Sequence, residues 1–336
     1  MPLPANEVLI PGLATGIGSL PHADARVAAA VACESTPQLP AVPQLPNRSP
    51  HETMVAQWVR ALPEVLVAPD GSVRVEHGRS SEPPTPVLDA TAHGGLLAFC
   101  DLLPCRAEPV ARVKAQMTGP LTLGIALHRA GLPAVDAFAR AGELVRAWIP
   151  VLESRIATTL PRTPTVIFLD EPALVAWHES DGPLDREAAV DALSGALATI
   201  RGVAGVHVCW PGDRRLALEA GPDVLAVEMT DDLLEDAGAL ARFLDGDGWV
   251  AWGAVPTDRP IGDSADPHWR RLAGVWCELT RRGCDPIRLR SQAVITPACG
   301  LAGHGPTQAV RALRLADALA DRLHDQTVAA RLTLGA

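Results

Sequence analysis

Eight short apolar runs, each ending within two residues of a polar residue, a glycine or a proline, punctuate the chain at 14–19, 38–42, 110–117, 165–169, 203–209, 223–228, 249–255 and 292–297. The stretches between them are longer, rich in Ala, Leu and Arg, and repeat their apolar residues at helical period, as over 133–159, 186–201 and from about 306 past 323. Short apolar strands that alternate with amphipathic helices pair in parallel, because each helix is the crossover that returns the chain to the same end of the sheet. Eight such units close into a (β/α)8 TIM barrel, and 336 residues suit one barrel domain over 1–336. A doubly wound open sheet produces the same local pattern and is the alternative.

The segment 64–77 (EVLVAPDGSVRVEH) alternates apolar and polar residues about Asp70-Gly71, a hairpin turn signal, and reads as an insertion between the second and third strands. The proline-rich stretches 37–50 and 82–86 read as loops, since neither separates two segments that could each build a core.

Composition narrows the function classes. With 48% hydrophobic and 20% charged residues the chain is globular, and its net charge of -10, without any Lys/Arg cluster interleaved with aromatics, excludes a nucleic-acid footprint. No apolar run reaches the roughly 18 residues of a membrane span, and the N-terminus lacks the regions of a signal peptide, so the expected location is cytoplasmic. Seven scattered cysteines, an odd number, suggest reduced thiols instead of a disulfide framework. Tyrosine is absent and Lys114 is the only lysine, which fits the codon bias of a GC-rich genome.

The chemistry concentrates at the ends of the expected strands. His207 and Cys209 close the fifth run, Glu228 closes the sixth and Cys299 follows the eighth. In a barrel these ends open onto one face, and residues two apart in a strand point the same way, so His207 and Cys209 can grip one ion. Two thiolates, an imidazole and a carboxylate favour Zn2+ over magnesium or calcium. Singly, each residue also has a plainer reading as a buried small thiol or a solvated carboxylate. Cys33, Cys100, Cys105, Cys277 and Cys284 fit no ligand pattern and read as structural.

Asp170-Glu171 follow the apolar fourth run, and because adjacent side chains diverge, one of the two faces the barrel mouth, where it could hold an ammonium group. Helix capping by Asp170, with Pro172 in the first turn, is an equal possibility. Gly16-Ile17-Gly18-Ser19 allows close backbone approach to a ligand but lacks the spacing of a dinucleotide loop. Met117-Thr118-Gly119-Pro120 ends the third run and is either pocket lining or a turn.

In this order, GIGSLP, MTGPLT, FLDEPAL, VHVCW, VLAVEMT and ITPACGL resemble the strand ends of the C-terminal catalytic barrel of the cobalamin-independent methionine synthase family, over about residues 13–320. The resemblance implies that His207, Cys209, Glu228 and Cys299 bind zinc. It also implies that Asp170 contacts the amino group of a homocysteine thiol substrate, and that backbone around Ile17, Gly18 and Ser19 receives its carboxylate. Three departures stand out. The full-length enzyme has two tandem barrels and this chain has one. The loop after the seventh run, 254–258 (AVPTD), lacks the histidine that folate-dependent members place there, and a tertiary amine such as methyltetrahydrofolate needs a proton to leave. Asp258 or His304 could substitute, although neither matches the motif. A second homocysteine-binding glutamate has no clear counterpart, with Glu34 and Glu52 as candidates. The methyl donor is therefore a folate or a corrinoid, the latter free or on a corrinoid protein and needing no leaving-group proton. Two other functions compete: a metal-independent enzyme like uroporphyrinogen decarboxylase, and a non-catalytic zinc or corrinoid-protein binding barrel.

Overall fold

The computed structural model describes residues 4–76, 82–178, 182–209 and 211–334; residue 77 of the expected hairpin and Trp210 of the VHVCW motif lie outside them. In chain order the strands are β1 (Leu13–Ala14), β2 (Val65–Val67), β3 (Val73–Val75), β4 (Val113–Thr118), β5 (Thr165–Asp170), β6 (Val203–Val208), β7 (Val224–Glu228), β8 (Trp249–Val255) and β9 (Ala293–Pro297). Strands β2 and β3 form an antiparallel hairpin of their own, with Gly71 at φ +82 in its turn. The other seven make one parallel sheet in the order β1-β9-β8-β7-β6-β5-β4. That sequential order belongs to a curled, TIM-barrel-like sheet and not to a doubly wound one, whose order reverses at a switch point.

Two of the eight expected runs differ. The first is a strand only over Leu13–Ala14, because Gly18 takes φ +137 and the chain turns away from the ladder. The second, 38–42, forms no ladder at all, since Pro37, Pro40, Pro43 and Pro46 have no N–H to donate. Its neighbourhood instead touches both edges of the sheet through isolated bridges, Ala41 with Lys114 in β4 and Ser19 with Gln44, backed by Val42 N donating to Lys114 O at 2.8 Å and Leu20 N to Gln44 O at 2.9 Å.

Both faces of the strands are buried, and the period of two sorts their residues. Ile167, Leu169, Val206, Val208, Leu225 and Val227 pack with the helices in one large core. Their alternates Val166, Phe168, Val203, Val224 and Ala226 form a separate small cluster with Val8 and Leu13 on the opposite face. Continuing that second set toward the strand ends leads to Asp170, His207 and Glu228.

The hairpin is anchored by charge. Glu64, one residue before β2, takes two hydrogen bonds from Arg140 on the helix Ala134–Thr159, at 2.6 and 2.9 Å, and both side chains are about nine-tenths buried. Arg140→Leu would strand a buried carboxylate and should cost about 3–5 kcal/mol, whereas replacing both partners by leucine should recover most of the loss. Calorimetric unfolding of the single and double variants checks this. Among the described residues no helix is long and apolar enough to cross a membrane.

Candidate metal centre

His207 sits on the penultimate residue of β6, Cys209 just beyond it, and Cys299 two residues past β9. Their ligand atoms all lie within 4.8 Å of one another. The Cys209 Sγ is 3.4 Å from His207 Nε2 and 3.8 Å from Cys299 Sγ. Bonds of about 2.3 Å to sulfur and 2.0–2.1 Å to nitrogen place the ligands of one tetrahedral zinc ion roughly 3.5–3.8 Å apart, close to the two separations measured from Cys209.

Electrostatics agree with a site for a cation. The Cys299 thiol is held well below the ordinary thiol range by hydrogen bonding with Cys209, helped by His207 and the Gly300 N–H, while Cys209 is pushed up by that same Cys299 contact and by burial. Two neighbouring polar atoms are buried without partners, His207 Nδ1 and Asp170 Oδ1, on residues opposite each other in the β5–β6 register. Buried polar atoms are seldom left unpaired unless a ligand completes them.

Glu228 ends β7 opposite Gly253 of β8 and stands outside the three-residue cluster. It lines an adjoining cavity of about 770 Å3 with Met229, His178, Asp258 and Arg271, close enough to Cys209 to raise its pKa. Gly253 admits this arrangement because a side chain there would meet Ala298 Cα at 2.8 Å and Val227 O at 2.9 Å.

The Asp170-Glu171 pair divides its labour. Glu171 turns away from the mouth and accepts from Leu121 N at 2.8 Å, Thr122 N at 2.7 Å and Thr122 Oγ1 at 2.6 Å, so it caps the helix Pro120–Arg129. Gly119, which precedes that helix, must be glycine: a Cβ would come within 2.2 Å of Glu171 Oε1. The MTGP run is therefore a helix start. Glu171→Ala would orphan the first N–H groups of the helix and should cost about 3 kcal/mol. Faster amide exchange at Leu121 and Thr122 is the check.

Asp170 is 5% exposed and caps nothing, and burial pushes its pKa up to about 6 while Lys114 and then His207 pull it down. Lys114 is the feature the strand pattern does not reveal. It points from β4 into the second face, donates to Ile17 O at 2.5 Å and Gln116 Oε1 at 3.2 Å, lies over the Phe168 ring, and has its pKa lowered to about 8 by burial. The signal was available: it is the chain's only lysine, set within an apolar run.

Lys114 also fixes the first strand end. The carbonyls of Ile17, Gly18 and Ser19 are all engaged, by Lys114 Nζ, Gln44 N at 3.0 Å and Leu301 N at 2.9 Å. What this run can offer a ligand is thus its N–H groups and the Ser19 hydroxyl. Ser19 stands beside the residue after Cys299, since a Cβ on Gly300 would fall 2.1 Å from Ser19 Oγ.

Other expected positions lie elsewhere. Glu52 is buried and occupied by Gly95 N at 2.7 Å and Arg48 at 2.8 Å, and Glu34 is exposed on the helix Ala25–Ser35. Cys33, Cys100 and Cys284 are buried, but Cys105 and Cys277 are exposed and so pack in no core.

These features describe an α/β protein of TIM-barrel-like fold with a His/Cys/Cys cluster at the C-terminal ends of its strands. No family model and no curated protein matches the sequence. Among solved structures, a candidate vitamin-B12-independent methionine synthase from Listeria monocytogenes is similar with a TM-score of 0.56 and 15% identity, over 89% of this chain and 85% of that one. A GH113 β-1,4-mannanase complex gives a TM-score of 0.42 and 11% identity, over 93% and 99%. The first likeness shows a related fold; the second carries nothing further.

Proposed function

We propose that the protein is a zinc-dependent methyltransferase that moves a methyl group to a thiol, with homocysteine as acceptor and methionine as product. The observation that carries this reading is the spacing of His207 Nε2, Cys209 Sγ and Cys299 Sγ, which fits one soft metal ion at the mouth of the sheet. The Listeria likeness is consistent with it. His207, Cys209 and Cys299 would hold the zinc, with Glu228 as an exchangeable fourth ligand, and the bound ion would supply the Lewis acidity that lowers a thiol below its free pKa of about 8.5.

The chain's own groups would orient the acceptor. Asp170, kept ionised by the buried Lys114 ammonium, holds the substrate amino group. The N–H groups of Ile17–Ser19 receive its carboxylate. The methyl group passes to sulfur, and the donor leaves with the electron pair of the broken bond.

The donor is a corrinoid in this reading. Asp258 lines the large cavity, but the Arg259 guanidinium beside it, at 2.9 and 3.0 Å, holds its carboxyl below the usual range. A group ionised at neutral pH has no proton to give a departing amine. Methylation of homocysteine from methylcobalamin, with none from methyltetrahydrofolate, is the expected assay result. The reverse result would move the donor to folate and assign the proton to His178, the imidazole in that cavity, with His178→Asn as the deciding variant. Glu228→Ala should keep most of its metal, as befits an exchangeable ligand, yet lose most turnover; elemental analysis beside the assay separates the two.

A further inference from the structure

The proline-rich run 38–42 forms no ladder, and only isolated bridges tie its neighbourhood to the sheet edges. Two side chains of β4 supply what the backbone does not. Lys114 and Gln116 are two apart in the strand, so they point to the same face, and each is 2% exposed. Lys114 Nζ donates to Ile17 O at 2.5 Å and to Gln116 Oε1 at 3.2 Å. Gln116 Nε2 in turn donates to Val42 O at 2.7 Å. These bonds join the turn after β1 and the proline run to the middle of β4, in the place where ladder bonds are missing. A buried network of this kind is rigid when every member is satisfied and costly to break when one is removed.

Gln116 also meets the turn directly. Gly18 stands at φ +137, and a Cβ there would fall 2.2 Å from Gln116 Nε2. A glycine alone lets the backbone settle this closely on the carboxamide. The turn's carbonyls are taken, those of Ile17, Gly18 and Ser19 by Lys114, Gln44 N and Leu301 N. Its N–H groups are not: among the described residues no protein group accepts from the N–H of Ile17, Gly18 or Ser19, although Ile17 and Gly18 are buried. Buried N–H groups are seldom left without an acceptor, and successive free ones make a concavity suited to an anion. Their direction is fixed by the turn, and the turn is fixed by what lies against it.

We propose that Gln116 is a positioning residue: its carboxamide, bonded to Lys114 and Val42 and seated against Gly18, holds the 17–19 turn so that the free N–H groups receive the carboxylate of the thiol acceptor. It acts through the turn and not by contact with the acceptor. A turn held in its bound shape before the ligand arrives loses little freedom on binding, so the effect falls on KM and spares kcat. The identity of the ligand rests on the thiol-acceptor reading; the brace rests on the geometry alone.

Gln116→Met, close in length to the parent side chain but without its donor and acceptor, tests this on the zinc-loaded full chain with homocysteine and with 3-aminopropanethiol, which is homocysteine lacking its carboxylate. The KM for homocysteine should rise about tenfold with kcat within about twofold, while the KM for 3-aminopropanethiol keeps its parental value. Asp170→Asn should weaken both thiols, since both carry the amine. Hydrogen exchange reads the brace without turnover: the amides of Leu20 and Gln44, bonded to Gln44 O and Gly18 O, should exchange about tenfold faster in the variant, with those of β6, β7 and β8 unchanged. Gln116→Glu, which also loses the carboxamide donor, carries the same test if the Met variant fails to fold. Unchanged exchange at Leu20 and Gln44, or an equal rise in KM for both thiols, overturns the proposal. A parent that methylates neither thiol ends the thiol-acceptor reading and removes Gln116 from an acceptor site, and the exchange result then decides the brace by itself.

Discussion

The parent protein should carry about one zinc per chain after purification or reconstitution, and Cys209→Ser and Cys299→Ser should carry almost none. Each serine replaces a thiolate by a poor zinc ligand and leaves one thiolate and one imidazole beside the exchangeable Glu228, too weak a set to hold the ion against dilution. Because structural and catalytic zinc sites contribute binding energy to the folded state, the parent should also melt at a higher temperature with metal than after chelation, and the variants should not respond. Elemental analysis with thermal melts in the presence and absence of a chelator reads both effects. A folded parent that stays metal-free after reconstitution would end the zinc reading.

On the proposed function, Asp170→Asn should lower kcat/KM for homocysteine by about 10²-fold or more, chiefly through KM, because it removes the buried charge that would meet the substrate amino group. The pH dependence follows from the same group. Its pKa of about 6 means that the free site is ionised at neutral pH and protonates as the pH falls through 6. Acceptor binding should therefore be retained above that value and weaken below it, and the Asn variant should be weak and flat throughout. Lys114→Met should shift the parent's profile upward, since the ammonium is the charge that most lowers the Asp170 pKa. An Asn variant with parental KM would remove Asp170 from the acceptor site.

The alternation of strand and helix was legible because period and punctuation are local properties. Seven of the eight runs became paired strands for that reason, and the residues at their ends could be named before any contact was known. The exception, 38–42, was apolar enough to read as a strand, but its prolines cannot carry a ladder, and that cost is visible only when the neighbouring strands are in place. Asp170 and Glu171 show the same limit on the scale of two residues. Local pattern says that they diverge; which one meets the site depends on Gly119 and the helix start lying beneath Glu171.

By itself, then, the sequence determined the parallel α/β architecture and supplied a soft His/Cys/Cys donor set for a candidate site, since backbone periodicity and ligand softness are properties of the residues present. Only the tertiary structure decided how those residues meet. It set the sulfurs 3.8 Å apart across residues 209 and 299, kept Glu228 outside the cluster, and turned the only lysine inward toward Asp170. These are long-range juxtapositions, set by the curl of the sheet and by the packing of helices against it, and no local periodicity encodes them.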